Sequence, residues 1–115
     1  ESSAHENFKN KIIETQEGGT QLTLKELAPV RLIKNKFYQD VQELYSKCPT
    51  KEELSALLGR ARAKHGMFEG DLDEGELEIG QIAGLIHDVK PAAEIIVEMI
   101  ADFEQARKEV NKFDF

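Results

Sequence analysis

A single stretch of this chain alternates. From Thr20 to Leu27, Leu22 and Leu24 fall on one side of an extended backbone while Gln21, Thr23 and Lys25 fall on the other, which is the two-residue period of a strand. Elsewhere the apolar residues recur every three or four positions, the period of a helix. A strand carries a row of N–H and C=O groups that must be paired, and the alternation offers no second strand. The partner is therefore expected outside this chain. The fold class that follows is mainly α, about five amphipathic helices with one short strand, built to lie against a larger body.

The helices carry their own punctuation. Ser3-Ala4-His5-Glu6 has the spacing of a capping box, Ala4, Phe8 and Ile12 follow at four-residue intervals, and Gly18-Gly19 should end this first helix. Pro29 suits a helical first turn, and Val30, Ile33, Phe37, Val41, Leu44 and Cys48 form a stripe that stops at Pro49. Thr50 with Glu53 repeats the capping-box spacing ahead of Leu54, Leu57, Leu58, Ala61 and His65, with a stop at Gly66. Asp73 with Glu76 is expected to open a fourth helix, and Pro91 a fifth that buries Ile96, Met99, Ile100, Phe103 and Val110. The organisation is a single unit over 1–115: a helix over 1–18, a strand over 20–27, a helical pair over 29–66, and an acidic turn plus two helices over 67–115.

The 115 residues amount to one domain, with enough apolar content (40%) to fold. No apolar run reaches the ~18 residues of a membrane span, and no secretory leader is visible, so neither insertion nor export is expected. The lone Cys48 forms no internal disulfide and fits a reducing compartment, the cytoplasm. Net charge is −7, unevenly placed: 11 basic against 9 acidic residues through Gly66, then 4 against 13. Such a surface repels phosphate backbones and anionic lipid, which argues against nucleic-acid or membrane binding as the primary function. The chain begins Glu1-Ser2-Ser3 without an initiator Met, as expected of a processed protein or a piece of a longer one.

Asp71, Asp73, Glu74, Glu76 and Glu78 invite a calcium-loop reading, but aligned from Asp71 the turn glycine falls on Glu76 and the bidentate Glu on Ile82, so the spacing fails. These acids suit the positive end of a helix. His5, His65 and His87 are too dispersed for a local metal site; His65 and His87 suit helix C-termini, and Cys48 a small core position. Arg31, Lys34 and Lys36, and later Arg60, Arg62 and Lys64, make two basic stretches that suit either a phosphate-bearing cofactor or the capping of carbonyl ends of neighbouring helices, the commoner role. Arg31, placed in the first turn of its helix against the dipole, is expected to reach for an anion or carboxylate beyond it.

The most informative segment is Glu76 to Ile86, E-L-E-I-G-Q-I-A-G-L-I. Gly80 and Gly84 lie one turn apart in what reads as a buried helix, where each costs about 1 kcal/mol relative to Ala. Either another helix packs closely there, or a flat ligand approaches the backbone with the Gln81 amide as donor and acceptor.

With the Met67-Phe68-Glu69-Gly70-Asp71 turn before it and the Pro91 helix after it, G-Q-I-A-G-L-I resembles the C-terminal part of the nitronate monooxygenase family, formerly the 2-nitropropane dioxygenases. FabK-type enoyl-acyl-carrier-protein reductases and some NADH:quinone reductases are similar to that family. E-S-S-A-H-E-N-F-K resembles its helix after the last barrel strand, and P-V-R-L-I-K-N-K-F its R-P-x-R-x-L-x-N-type helix, with Leu27-Ala28 where the family has Gly-Arg. The resemblance implies an FMN-binding TIM barrel that oxidises nitronates, or passes hydride from NAD(P)H to an enoyl thioester or quinone. It implies that this chain is a C-terminal lid and buttress. The barrel, the phosphate-holding glycine segments and the catalytic histidine would lie upstream of Glu1. No catalytic or metal-ligating residue is then expected here, and Glu78, Ile79, Gly80 and Gln81 would form a flavin or substrate wall. The isolated chain should bind no FMN and should be inactive. The implied partner is the N-terminal barrel of the same polypeptide, with homo-oligomers also open; the other reading is a stand-alone helical interaction module without catalysis.

Overall fold

A computed structural model describes residues 1–113. The strand has its partner within the chain. Strand β1 (Thr20–Thr23) pairs antiparallel with β2 (Val30–Ile33), Thr20 opposite Ile33 and Thr23 opposite Val30. The other edge of β2 is met by residues 77–79: Ile33 N–H donates to the Leu77 carbonyl at 3.0 Å and Ile79 N–H to the Arg31 carbonyl at 3.1 Å. The expected external partner is thus replaced by Val30–Ile33, a segment read as the start of a helix. Pro29 is as acceptable ahead of a strand as in a helical first turn, and β-branched Val30 and Ile33 favour the pleated state.

The expected strand also ends early. Leu24 turns out of the ladder at φ +53 and is buried, whereas Leu22, its presumed face-mate, stays 37% exposed. Adjacent residues of β2 then feed two separate cores, because successive side chains of a strand point to opposite faces. Leu32 packs with Leu24, Phe37, Val41 and Leu54 on one face, and Ile33 with Phe8 and Leu77 on the other.

Helix α1 (Glu6–Glu14) covers the second face through Phe8. Its N-cap is His5, whose Nδ1 accepts from the Asn7 N–H at 3.1 Å, in place of the expected Ser3–Glu6 box, and it ends at Thr15, before Gly18-Gly19. Helix α2 (Lys36–Tyr45) and helix α3 (Lys51–Leu58) cover the first face, and α3 has the Thr50–Glu53 capping box that its spacing indicated. Cys48 is exposed at φ +54 in the turn before Pro49, where the stripe assigned it to the core. The third expected helix is two: Gly59 (φ +65) and Ala61 (φ +59) break it, and α4 (Arg62–Met67) follows.

No fourth helix opens at Asp73. The Asp71 Oδ1 accepts from the Asp73 and Glu74 N–H groups at 3.1 and 3.0 Å, closing a turn. Gly75 then crosses α4 backbone against backbone at Gly66, so closely that a Cβ on Gly75 would run into the Gly66 Cα. Asn35 fastens this turn. Its Oδ1 caps α2 at Tyr38 N–H (3.0 Å), and its Nδ2 donates to the carbonyls of Gly75 (2.8 Å), Leu72 (2.9 Å) and Asp73 (3.2 Å).

A 3₁₀ turn (Gln81–Leu85) leads to helix α5 (Ala92–Val110), which starts behind Pro91 as expected. Its burial is not as expected: Ile96, Met99, Ile100, Phe103 and Val110 are all more than half exposed. The chain measures 55 × 37 × 20 Å with a radius of gyration of 17.9 Å, against about 13 Å for a compact chain of this length. Helix α5 is amphipathic in sequence; its first turn is tied in, with Ala92 N–H donating to Glu1 Oε2 at 2.9 Å, and beyond that turn its apolar face is unpartnered among the described residues. Residues 114 and 115, the end of the expected 67–115 segment, lie outside the description.

Candidate functional site

The fastening of residues 77–79 to β2 decides where the predicted wall goes. Glu78 bridges Leu32 through its backbone and leaves its side chain exposed. Ile79 turns the other way, packing towards Phe8 and Leu77, and lines an apolar groove of about 400 Å³ with Ile12, Ile86, Val89 and Ile95. Gln81 opens the 3₁₀ turn and lines a different, half-open cleft of about 350 Å³ together with Glu17, Thr20, Arg31, Gly84 and Leu85. Gln81 and Ile79 therefore serve separate hollows, with Gly80 between them.

The two glycines are not in a buried helix, and they differ. A Cβ on Gly84 would lie 3.0 Å from the Glu17 backbone nitrogen and 3.2 Å from the Gln16 carbonyl carbon, so Gly84 exists for close backbone packing within the chain. Gly80 has an ordinary φ of −69°, and a Cβ there would meet nothing within 4 Å. Neither conformation nor a contact among the described residues accounts for it. The backbone at Gly80 is open to whatever approaches from outside.

Arg31 stands on β2 and not in the first turn of a helix, so no helix dipole acts on it. Its half-buried side chain sits by the Gln81 cleft, where Nη1 donates to the Thr20 hydroxyl at 3.2 Å and, more weakly, to the Thr20 carbonyl at 3.4 Å. Among the described residues no carboxylate lies within 4.0 Å of its guanidinium. Sequence reasoning missed Thr20 and Glu17 as its neighbours, because the hairpin register that brings them together was not visible without the second strand.

The second basic stretch is consumed by structure. Arg62 lies 4.5 Å above the Phe37 ring, and its guanidinium donates to the carbonyls of Leu58 (2.8 Å), Leu57 (2.9 Å) and Glu74 (2.8 Å), the capping role expected of it. Lys36 pairs with Glu74 and Asp40. His65 lies in the last turn of α4 and meets Glu69 at 2.5 Å, which, with Lys64, holds the Glu69 carboxyl below the usual range. His87 lies exposed beyond the 3₁₀ turn. Glu76 is buried; burial first, then the Glu78 charge, push its carboxyl above the usual range, and Arg62 pulls it partly back. Among the described residues no three His, Cys, Asp or Glu side chains gather as a metal site, and no helix is long and apolar enough to cross a membrane.

No protein-family model matches the chain, and no curated protein matches it. Solved structures do. FabK from Thermotoga maritima is 27% identical over 96% of this chain with a TM-score of 0.82, and its M276A mutant 26% identical over 98% with a TM-score of 0.78. The chain spans only 35% and 33% of those chains. Its mostly helical fold with a two-stranded sheet is thus similar, over nearly its whole length, to about a third of a FabK chain.

Proposed function

We propose that this chain is the C-terminal part of an FMN-dependent oxidoreductase of the FabK type, one that reduces an enoyl thioester with electrons from NAD(P)H. The observation that carries this reading is the match to FabK over 96–98% of the chain at TM-scores of 0.78 and 0.82. Reduction is preferred to nitronate oxidation because both neighbours are FabK. Bound FMN would supply hydride transfer between nicotinamide and acceptor.

What the chain contributes is one wall and a buttress. The open backbone at Gly80 and the exposed Gln81 amide fit the edge of a flat ring system, with the exposed Glu78 on the same segment and Ile79 turned away into its own groove. The unpartnered face of α5 and the Ile79 groove fit the outside of a barrel carried by the same polypeptide: Ile95, Ile96, Met99, Ile100 and Phe103 make a stripe wider than the two-position seam of a coiled coil. The isolated chain is then inactive.

The test is substitution in the polypeptide read from the first codon of its gene. Gly80→Val should lower flavin content or turnover, while Ala56→Val, added bulk at an exposed position of α3, should not. Equal losses of stability at normal flavin occupancy would return Gly80 to a packing role. A protein that holds no flavin and reduces no enoyl thioester would favour the interaction-module reading, to which the exposed α5 face also lends support.

A further inference from the structure

We infer that the cleft between the β1–β2 hairpin and the 3₁₀ turn is an oxyanion-binding site, in which the Arg31 guanidinium and the Gln81 amide receive a carboxylate or phosphate group carried on an apolar body. Arg31 offers five N–H donors in a planar fork. The donation from Nη1 to Thr20 fixes the fork from one side and leaves donors over. A half-buried guanidinium is ordinarily matched by a carboxylate or by several carbonyls, because its desolvation must be offset. Arg62 shows the matched case, with three carbonyl acceptors. Arg31 is held in place and has no carboxylate within 4.0 Å among the described residues.

The surroundings specify the rest. The Arg31 carbonyl accepts from Ile79 N–H at 3.1 Å, so the segment that carries Gln81 is tied to the strand that carries Arg31 and the two donors keep a fixed relation. Ile82 and Leu85, 64% and 69% exposed, form an apolar wall at the same cleft. Glu17 stands at its rim and opposes an anion, which sets the affinity of the site below what Arg31 alone would give. The inference does not rest on the flavoenzyme reading, and its test uses no flavin.

The 115-residue chain would be titrated with inorganic phosphate and, separately, with acetate at constant ionic strength, following its ¹⁵N–¹H spectrum including the Arg31 Nε–Hε and Gln81 side-chain amide signals. Saturable shifts confined to Arg31, Thr20, Gly18 and Gln81 are expected; saturation by phosphate alone assigns a phosphoryl group, by acetate alone a carboxylate. Arg31→Met should weaken binding about tenfold or more. Should that variant unfold, Glu17→Gln decides: it keeps Arg31 and should tighten binding by about two- to threefold. Shifts at Arg31 that are linear in anion concentration, or no larger than those at exposed Arg60, or unchanged affinity in Glu17→Gln, would overturn the assignment.

Discussion

Asn35→Ala should be among the most damaging single substitutions in this chain. The side chain is 8% exposed and does two jobs at once. Its Oδ1 caps α2 through Tyr38 N–H, a bond whose loss to Ala costs about 1 kcal/mol. Its Nδ2 has two hydrogens for three carbonyls, of Gly75, Leu72 and Asp73, so two full bonds are the most it makes, each contributing about 1 kcal/mol. The total is about 3 kcal/mol, a large share of the 5–15 kcal/mol typical of a folded domain. Asn35→Ser separates the two jobs, since its hydroxyl still caps the helix but reaches none of the carbonyls; it should cost about 2 kcal/mol. Asn35→Asp keeps the cap and turns a donor into a carboxylate oxygen facing three carbonyls, and should be worse than Ser. Urea unfolding followed by circular dichroism, with unchanged slopes, measures all three. A Ser variant within about 0.5 kcal/mol of the original chain would show that the ties to the 72–75 turn contribute nothing.

Opposite signs are expected at the two glycines of the G-Q-I-A-G-L-I segment. Gly84→Val should destabilise by about 1–3 kcal/mol through overlap with the Glu17 backbone, whereas Gly80→Ala should stabilise the isolated chain by about 0.4–1 kcal/mol because nothing stands in its way; urea midpoints give both. Glu76 has a carboxyl raised in the folded state, so its contribution is most favourable below the unfolded carboxylate range and is lost as pH rises through the folded value. Glu76→Gln should therefore raise the urea midpoint at pH 7 and change it little near pH 3, and an equal effect at both would remove burial as the cause. FMN titrated into the isolated chain should show no saturable micromolar quenching of flavin fluorescence. In sedimentation equilibrium the exposed α5 face should drive association, and Ile100→Asp should abolish it; a strict monomer that binds no hydrophobic dye would count against a docking role for α5.

What could be read without coordinates was what local chemistry dictates. The Thr50–Glu53 box and the Pro91 start both depend on contacts within one turn, and both are where the spacing put them. The failures share a cause. Val30, Ile33, Phe37 and Val41 fit a helical period equally well as one strand followed by one helix, and only the register with Thr20–Thr23 settles it. Gly59 and Ala61 break a helix through left-handed backbone, a state that Ala61 gives no reason to expect. The Gly66–Gly75 crossing is a contact between distant residues with no periodic signal. Gln81 and Arg31 each stand out alone in the sequence, and what joins them, the Arg31 carbonyl accepting from Ile79 N–H, is a backbone bond to which no side-chain pattern refers.

The flavoenzyme assignment is most directly tested by the visible absorption spectrum of the polypeptide read from the first codon of its gene, recorded anaerobically. Flavin bands should be present, should bleach on addition of NADH or NADPH, and should return when an enoyl thioester is supplied. A colourless protein, or a flavin that a nicotinamide reduces and an enoyl thioester leaves reduced, would contradict it.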